Sequence, residues 1–279
     1  MARRWIAAVA AVAAVALAAG VGIAVAADVE DVAGEPFTPA EASEADVRAL
    51  ESTKVFFAHQ SVGDDVLRGL ALVHDREGLP QPAVAEATSV AGPGVTHMHV
   101  GTNGDPMGKI EEFDSVVRSG VGDEADVVVF KLCYVDLWAT TDHEKVFAAY
   151  RDTLRSLQEA YPDTAFVATT EPLTTRRSWK GWVKKAIGRD DGLANQHNIA
   201  REQYNQLVRA EFTEPGELWD IAAMQSTTPS GDRVAAVEDG QTFYSLYDGY
   251  ARDPGHLNEE GSVVAAESFL AAVSAATAR

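Results

Sequence analysis

From residue 51 onward, short apolar runs alternate with stretches of helical period. Lys54-Val55-Phe56-Phe57-Ala58 reads as a buried strand. Between Val62 and His74 the apolar positions are Val62, Val66, Leu67, Leu70 and Val73, a spacing that lines one face of a helix. Val84 to Val90 reads as a second strand. Met107 to Val117 reads as a helix with Ile110, Phe113, Val116 and Val117 on one side. Asp126 to Cys133 contains Val127-Val128-Val129-Phe130, apolar without alternation, as a parallel strand covered on both faces should be. A long amphipathic helix is predicted over His143–Tyr161, a strand over Thr164–Thr169, a helix over Ala194–Phe212, a strand over Glu217–Ile221 and a closing helix from Glu259 to Ala276. Asn258 suits the cap of that last helix, and Glu259 and Glu260 suit the positive end of its dipole.

Five strands interleaved with helices imply parallel pairing through right-handed crossovers. The expected architecture is a three-layer α/β/α sandwich around a mainly parallel five-stranded sheet. In such sheets ligands bind beyond the carboxyl ends of the strands, so the residues just after each strand carry the interest.

The first 27 residues follow a different pattern. Arg3 and Arg4 precede an uncharged run from Trp5 to Ala27 that is mostly Ala and Val. A basic start, an apolar stretch and the small-residue site Ala24-Val25-Ala26 read as an export signal, with cleavage after Ala26. The run is also long enough to serve as a retained anchor. In both cases the remainder of the chain lies outside the cytoplasm, secreted or tethered, and meets a membrane only through this segment. Residues 28–50 hold Pro36, Pro39 and many acidic side chains without a sustained apolar period, and read as a solvated acidic linker. Residues 51–279 then form one domain.

Charge narrows the function classes. With 42 acidic and 23 basic residues the net charge is −19, and loss of Arg3 and Arg4 makes the chain more acidic still. Such a surface repels polyanions, which argues against nucleic-acid binding. The single cysteine excludes an intramolecular disulfide and a cysteine-rich zinc site. Against this acidic background, residues 174–189 carry Arg176, Arg177, Lys180, Lys184, Lys185 and Arg189, with Trp179 and Trp182 among them. This basic segment follows a strand and is either a contact surface for something anionic or a solvated helix.

Two short motifs carry candidate chemistry. His59-Gln60-Ser61-Val62-Gly63 follows the first predicted strand and opens a helix. A serine in that turn can act as a nucleophile, with helix amides to stabilise an oxyanion, or can simply cap the helix. Asp253-Pro254-Gly255-His256-Leu257-Asn258 directly precedes the last helix. A serine nucleophile needs a base, and the base needs a carboxylate to hold its tautomer. An Asp and a His three residues apart on a Pro-Gly turn supply both, with Asp248 as a weaker choice of acid.

In that order, the two motifs resemble the SGNH (GDSL-type) hydrolase superfamily, which places its serine after the first strand and Asp-x-x-His before the last helix. The resemblance spans residues 53–277 and implies a flavodoxin-like sheet, with Ser61 as nucleophile, His256 as base and Asp253 as its acid partner. The chain departs from the family's pattern at two points. His-Gln-Ser-Val stands where Gly-Asp-Ser-Leu is usual, and the Gly-x-Asn-Asp motif is replaced by Lys131-Leu132-Cys133-Tyr134-Val135-Asp136. The oxyanion donors are therefore expected to be the Ser61 amide with Gly101 and Asn103, from Gly101-Thr102-Asn103-Gly104-Asp105-Pro106.

His59, Tyr134, Asp136 and Glu171 are further candidates for substrate contact, because each stands near a strand end. Cys133 reads as a small buried residue. His97-x-His99, with His256 and acidic neighbours, has a common metal-ligand spacing, but the pattern is short and no metal or other cofactor is expected. The sequence thus points to an exported serine esterase that cleaves an O-acyl ester, on a carbohydrate or a simple lipid-like substrate. A non-catalytic envelope binding protein on the same fold, and an acyltransferase using the same triad, remain as alternatives.

Overall fold

A computed structural model of the chain describes residues 29–176 and 195–279. The central sheet has six strands, all parallel: β2 (Lys54–His59), β3 (Val84–Glu86), β4 (Gly94–His99), β5 (Val127–Phe130), β6 (Ala165–Thr169) and β7 (Leu218–Trp219), in the order β3-β4-β2-β5-β6-β7. The expected sandwich is present with one strand more than predicted. β4 is the extra strand. Its Gly-Pro-Gly approach and two histidines conceal a short alternating pattern in which Val95, Thr96 and Met98 are buried.

Strand burial explains the layers. In β2, Val55 and Phe57 face one side of the sheet while Phe56 and Ala58 face the other; Val127 and Val129 of β5 oppose Val128 and Phe130 in the same way. One face is covered by α1 (Glu44–Ala49), α2 (Ser61–Glu77) and α7 (Glu259–Thr277), with Val66, Leu70, Phe269 and Leu270 in the core. The other is covered by α3 (Pro106–Val116), α4 (His143–Ala160) and α5 (Asn195–Glu211), with Phe113, Tyr150 and Tyr204. Burying each such side chain contributes about 1.5–3 kcal/mol.

The acidic linker is a correction. Within it, β1 (Val29–Ala33) pairs antiparallel with β8 (Val234–Glu238), which pairs in turn with β9 (Gln241–Tyr244). α1 has a Ser43 capping box and buries Val47 in the main core. These pieces were illegible because β1 is largely exposed and α1 is barely two turns long. A short helix, α6 (Ile221–Ser226), completes that side. The predicted signal segment, like most of the basic segment, lies outside the described residues. Of the latter, Thr174, Thr175 and Arg176 are described, and Arg176 pairs with Asp31. Among the described residues no helix is long and apolar enough to cross a membrane.

Candidate active site

The chain runs from β2 to the sheet edge at β3, returns to β4, then crosses to β5 on the far side of β2. This reversal opens a crevice at the carboxyl end of β2, where α2 begins. Ser61 is the first residue of α2. The residue preceding it, Gln60, takes the cap position without a side-chain capping bond, and its side-chain Nε2 instead donates to the carbonyls of Val100 (2.7 Å) and Gly101 (3.2 Å). Ser61 is therefore not the helix cap, and its hydroxyl is free to meet another partner.

That partner is His256. α2 and α7 pack side by side so closely that a Cβ on Gly69 would fall 1.9 Å from the Ser262 carbonyl oxygen. The loop leading into α7 is held against α2 by Asp65, which is buried and accepts from the Leu257 amide at 2.8 Å. Arg68 adds a bond to the Leu257 carbonyl at 3.3 Å and one to the Ser262 hydroxyl at 2.9 Å. Between these anchors, β10 (Ala251–Asp253) and β11 (His256–Leu257) form a tight antiparallel turn. It presents His256 Nε2 to Ser61 Oγ at 2.9 Å.

The same turn supplies the carboxylate. Asp253 Oδ1 and Oδ2 lie 2.8 and 2.9 Å from His256 Nδ1, and Oδ1 also accepts from the amides of Gly255 (3.0 Å) and His256 (3.1 Å). A carboxylate only accepts, so Nδ1 carries the ring hydrogen and Nε2 offers a lone pair to the serine hydroxyl. Burial alone would raise the Asp253 pKa, but the two amides and the imidazole outweigh it and hold the carboxyl below its ordinary value. Asp248 is not the partner; the Nδ1 bonds go to Asp253. The ring of Tyr134, which follows β5, stands edge-on to His256 with centroids 5.7 Å apart, and a Cβ on Gly255 would lie 2.4 Å from it. Of the four substrate-contact candidates, Tyr134 is the one placed beside the base.

Other expectations need correction. The Gly101 amide donates to the Glu112 carboxylate at 2.6 Å, so it is already engaged. Asn103 is exposed, and its side-chain carbonyl accepts from Lys109 Nζ at 2.8 Å, which leaves its NH2 group as the donor. Asp136 is buried and fully occupied: it pairs with buried Lys109 at 2.7 Å and accepts from the amides of Gly104 and Cys133. Its role is to brace the loops after β4 and β5. Glu171 is also buried, so it forms no exposed contact surface; its backbone is clamped by Asn205. His59 is wholly buried beneath the first turn of α2. Burial pushes the Cys133 thiol up, which leaves it a packed, unreactive residue. His97 and His99 gather around His59 rather than His256. Asp65 and Arg68 were missed by sequence reasoning, because an Asp and an Arg at helical spacing read as an ordinary surface pair. A cleft of about 640 Å³ opens among Thr53, Asp126 and Thr164 at the amino ends of the strands, away from this chemistry.

No protein-family profile and no curated protein sequence matches the chain. Similar solved structures exist at low identity. One is described as a platelet activating factor from Streptococcus pneumoniae, with TM-score 0.48, 12% identity, and 81% of this chain and 90% of that one covered. Another is a GDSL-like lipase of Parabacteroides merdae, with TM-score 0.47, 13% identity, and 81% and 98% covered. A third is an acetyl-xylooligosaccharide esterase from a Geobacillus, with TM-score 0.40, 15% identity, and 79% and 94% covered. The roles given to residues here rest on the distances above.

Proposed function

We propose that this chain is an extracytoplasmic serine esterase that hydrolyses O-acyl esters on carbohydrates or simple lipid-like alcohols. The observation that carries the reading is the unbroken relay from Ser61 Oγ to His256 Nε2 (2.9 Å) and from His256 Nδ1 to Asp253 (2.8 Å). Ser61 Oγ attacks the acyl carbon as His256 Nε2 removes its proton. The tetrahedral oxyanion is received by the Ser61 amide at the uncapped start of α2 and by the NH2 group of Asn103. His256 then returns the proton to the leaving alkoxide, and the alcohol departs. Water, deprotonated by the same nitrogen, attacks the acyl-enzyme and releases the acid and free Ser61. Asp253 holds the imidazole in the productive tautomer throughout and stabilises its charged form. Tyr134 beside His256 forms a wall for the leaving group.

The test is covalent labelling of the full-length chain with a fluorophosphonate probe, beside Ser61→Ala and His256→Ala. The reading requires labelling of the parent, its abolition in Ser61→Ala and strong suppression in His256→Ala. A folded parent that takes no label would sink it.

A further inference from the structure

The parallel register of β2 with β4 places Phe57 beside His97 and His59 beside His99, and β3 sets Glu86 beside His97. Three imidazoles therefore share one sheet face at its carboxyl end, with ring centroids 4.9 to 6.0 Å apart. Asp64 reaches into this group from the first turn of α2, and one ligand atom from each of His59, Asp64 and His99 lies within 4.8 Å of the other two. The ester chemistry uses none of these side chains.

Their hydrogen bonds fix which nitrogens face one another. His59 Nδ1 faces the Gln60 carbonyl at 2.9 Å, so it carries the hydrogen and its Nε2 keeps the lone pair. His99 Nδ1 meets the Glu86 carboxylate at 3.1 Å, while its Nε2 lies 2.9 Å from Asp64 Oδ1. In His59 the fixed Nδ1 leaves a lone pair facing the cluster, whereas both His99 nitrogens donate to carboxylates, and an ion between His99 Nε2 and Asp64 would replace the proton they now share. Outer partners of this kind orient metal-bound histidines. His97 Nδ1 donates to His59 Nε2 at 3.0 Å, and an incoming ion would take that lone pair in its place.

We propose that His59 Nε2, His99 Nε2 and the Asp64 carboxylate bind one divalent transition-metal ion of the zinc type. Two imidazoles and a carboxylate suit that class better than the all-oxygen shells of calcium or magnesium. Zinc bonds of about 2.0–2.2 Å require small inward movements of the two exposed ligands, Asp64 and His99. The ion would join the end of β4 to the turn that carries Ser61, two residues after His59 and three before Asp64. The proposal does not rest on ester hydrolysis, since its readout is the metal.

The probe is Zn2+ alone. Full-length protein is stripped with chelator and titrated with Zn2+ by calorimetry, with metal content measured after gel filtration. One ion per chain is expected, with affinity reduced by about tenfold or more in Asp64→Asn and in His99→Ala. Both variants alter exposed side chains outside the triad, and Zn2+ should raise the melting temperature of the parent but not of His99→Ala. Failure of the parent to retain zinc, or equally tight binding in both variants, would overturn the proposal.

Discussion

Gly63 lies two residues after the serine, and adding one methyl there tests how the nucleophile is positioned. A Cβ at Gly63 would fall 2.2 Å from both Cγ and Nδ1 of His59. Non-bonded heavy atoms need about 3.5 Å, so more than about 1 Å of separation must be created. His59 cannot readily yield. It is fully buried, bonded at Nδ1 to Gln60 and at Nε2 to His97, and packed against the tilted ring of Phe57 with centroids 4.5 Å apart. The first turn of α2 must therefore lift, and it carries Ser61. Overpacking costs about 1–3 kcal/mol, and the gain from alanine in a helix offsets about 1 kcal/mol of it. The variant should stay folded, with a net loss near 1 kcal/mol by urea unfolding. Activity should suffer more, because a displacement of about 1 Å at a reacting atom costs on the order of 100-fold. The assay is the rate of fluorophosphonate labelling together with kcat/KM on an acetyl ester. Gly92→Ala, whose Cβ would meet nothing within 4 Å, is the control and should match the parent. A labelling rate for Gly63→Ala within about threefold of the parent would refute the claim that this contact sets the position of Ser61.

The relay itself should be sensitive to tautomer. Asp253→Asn should lower kcat by about 100- to 10,000-fold with little change in stability, read by steady-state kinetics beside a melt. Asp65→Asn keeps an acceptor for the Leu257 amide but removes the charge facing Arg68. It should cost about 1–2 kcal/mol in urea unfolding and lower kcat through movement of His256. Breaking the buried pair with Lys109→Met should cost about 3–5 kcal/mol because Asp136 is stranded, and adding Asp136→Asn should recover part of that loss. Burial first, then the charge of Asp136, holds the Glu171 carboxyl well above its ordinary value against the pull of Lys131 and Arg201. As pH rises above about 4.5 the unfolded chain releases this proton while the folded chain keeps it, so stability should fall until the folded carboxyl also ionises. Glu171→Gln should flatten that slope in urea midpoints measured across the range; an unchanged slope would reassign it to another group.

The sandwich was legible because its strands are buried on both faces and so appear as unbroken apolar runs. Val127 to Phe130 could hardly be read otherwise, and four of the five long helices fall within one residue of their predicted bounds, while the first, read as Val62–His74, runs on to Glu77. β4 was missed for a physical reason. Its outward positions carry His97 and His99, whose polarity is satisfied by neighbours from β2, β3 and α2 that no local window contains. The same limit applied to Asp136 and Glu171. A carboxylate after a strand reads as an exposed contact residue, and only the tertiary structure reveals Lys109 beside the first and burial around the second.

Ser61 and His256 lie 195 positions apart in sequence, and nothing local brings them together. Their meeting is decided by the seam between α2 and α7. Gly69 lets the two helices approach until backbone meets backbone, and Asp65 then fixes the loop ahead of α7 through one buried amide. The relay is therefore built on the two helix starts, with the sheet supplying only the platform beneath. It follows that substitutions along the seam, such as Gly69→Ala, should damage activity and stability together, because the added Cβ would lie 1.9 Å from a carbonyl oxygen that cannot move without α7. Substitutions at the engaged loop after β4 should behave otherwise. Glu112→Ala, which removes the acceptor that holds the Gly101 amide, should leave stability nearly unchanged and shift only kcat, since that amide would then be free to turn toward the oxyanion. Equal loss of activity at both places would mean that the position of His256 and the supply of oxyanion donors are not separate properties of this fold.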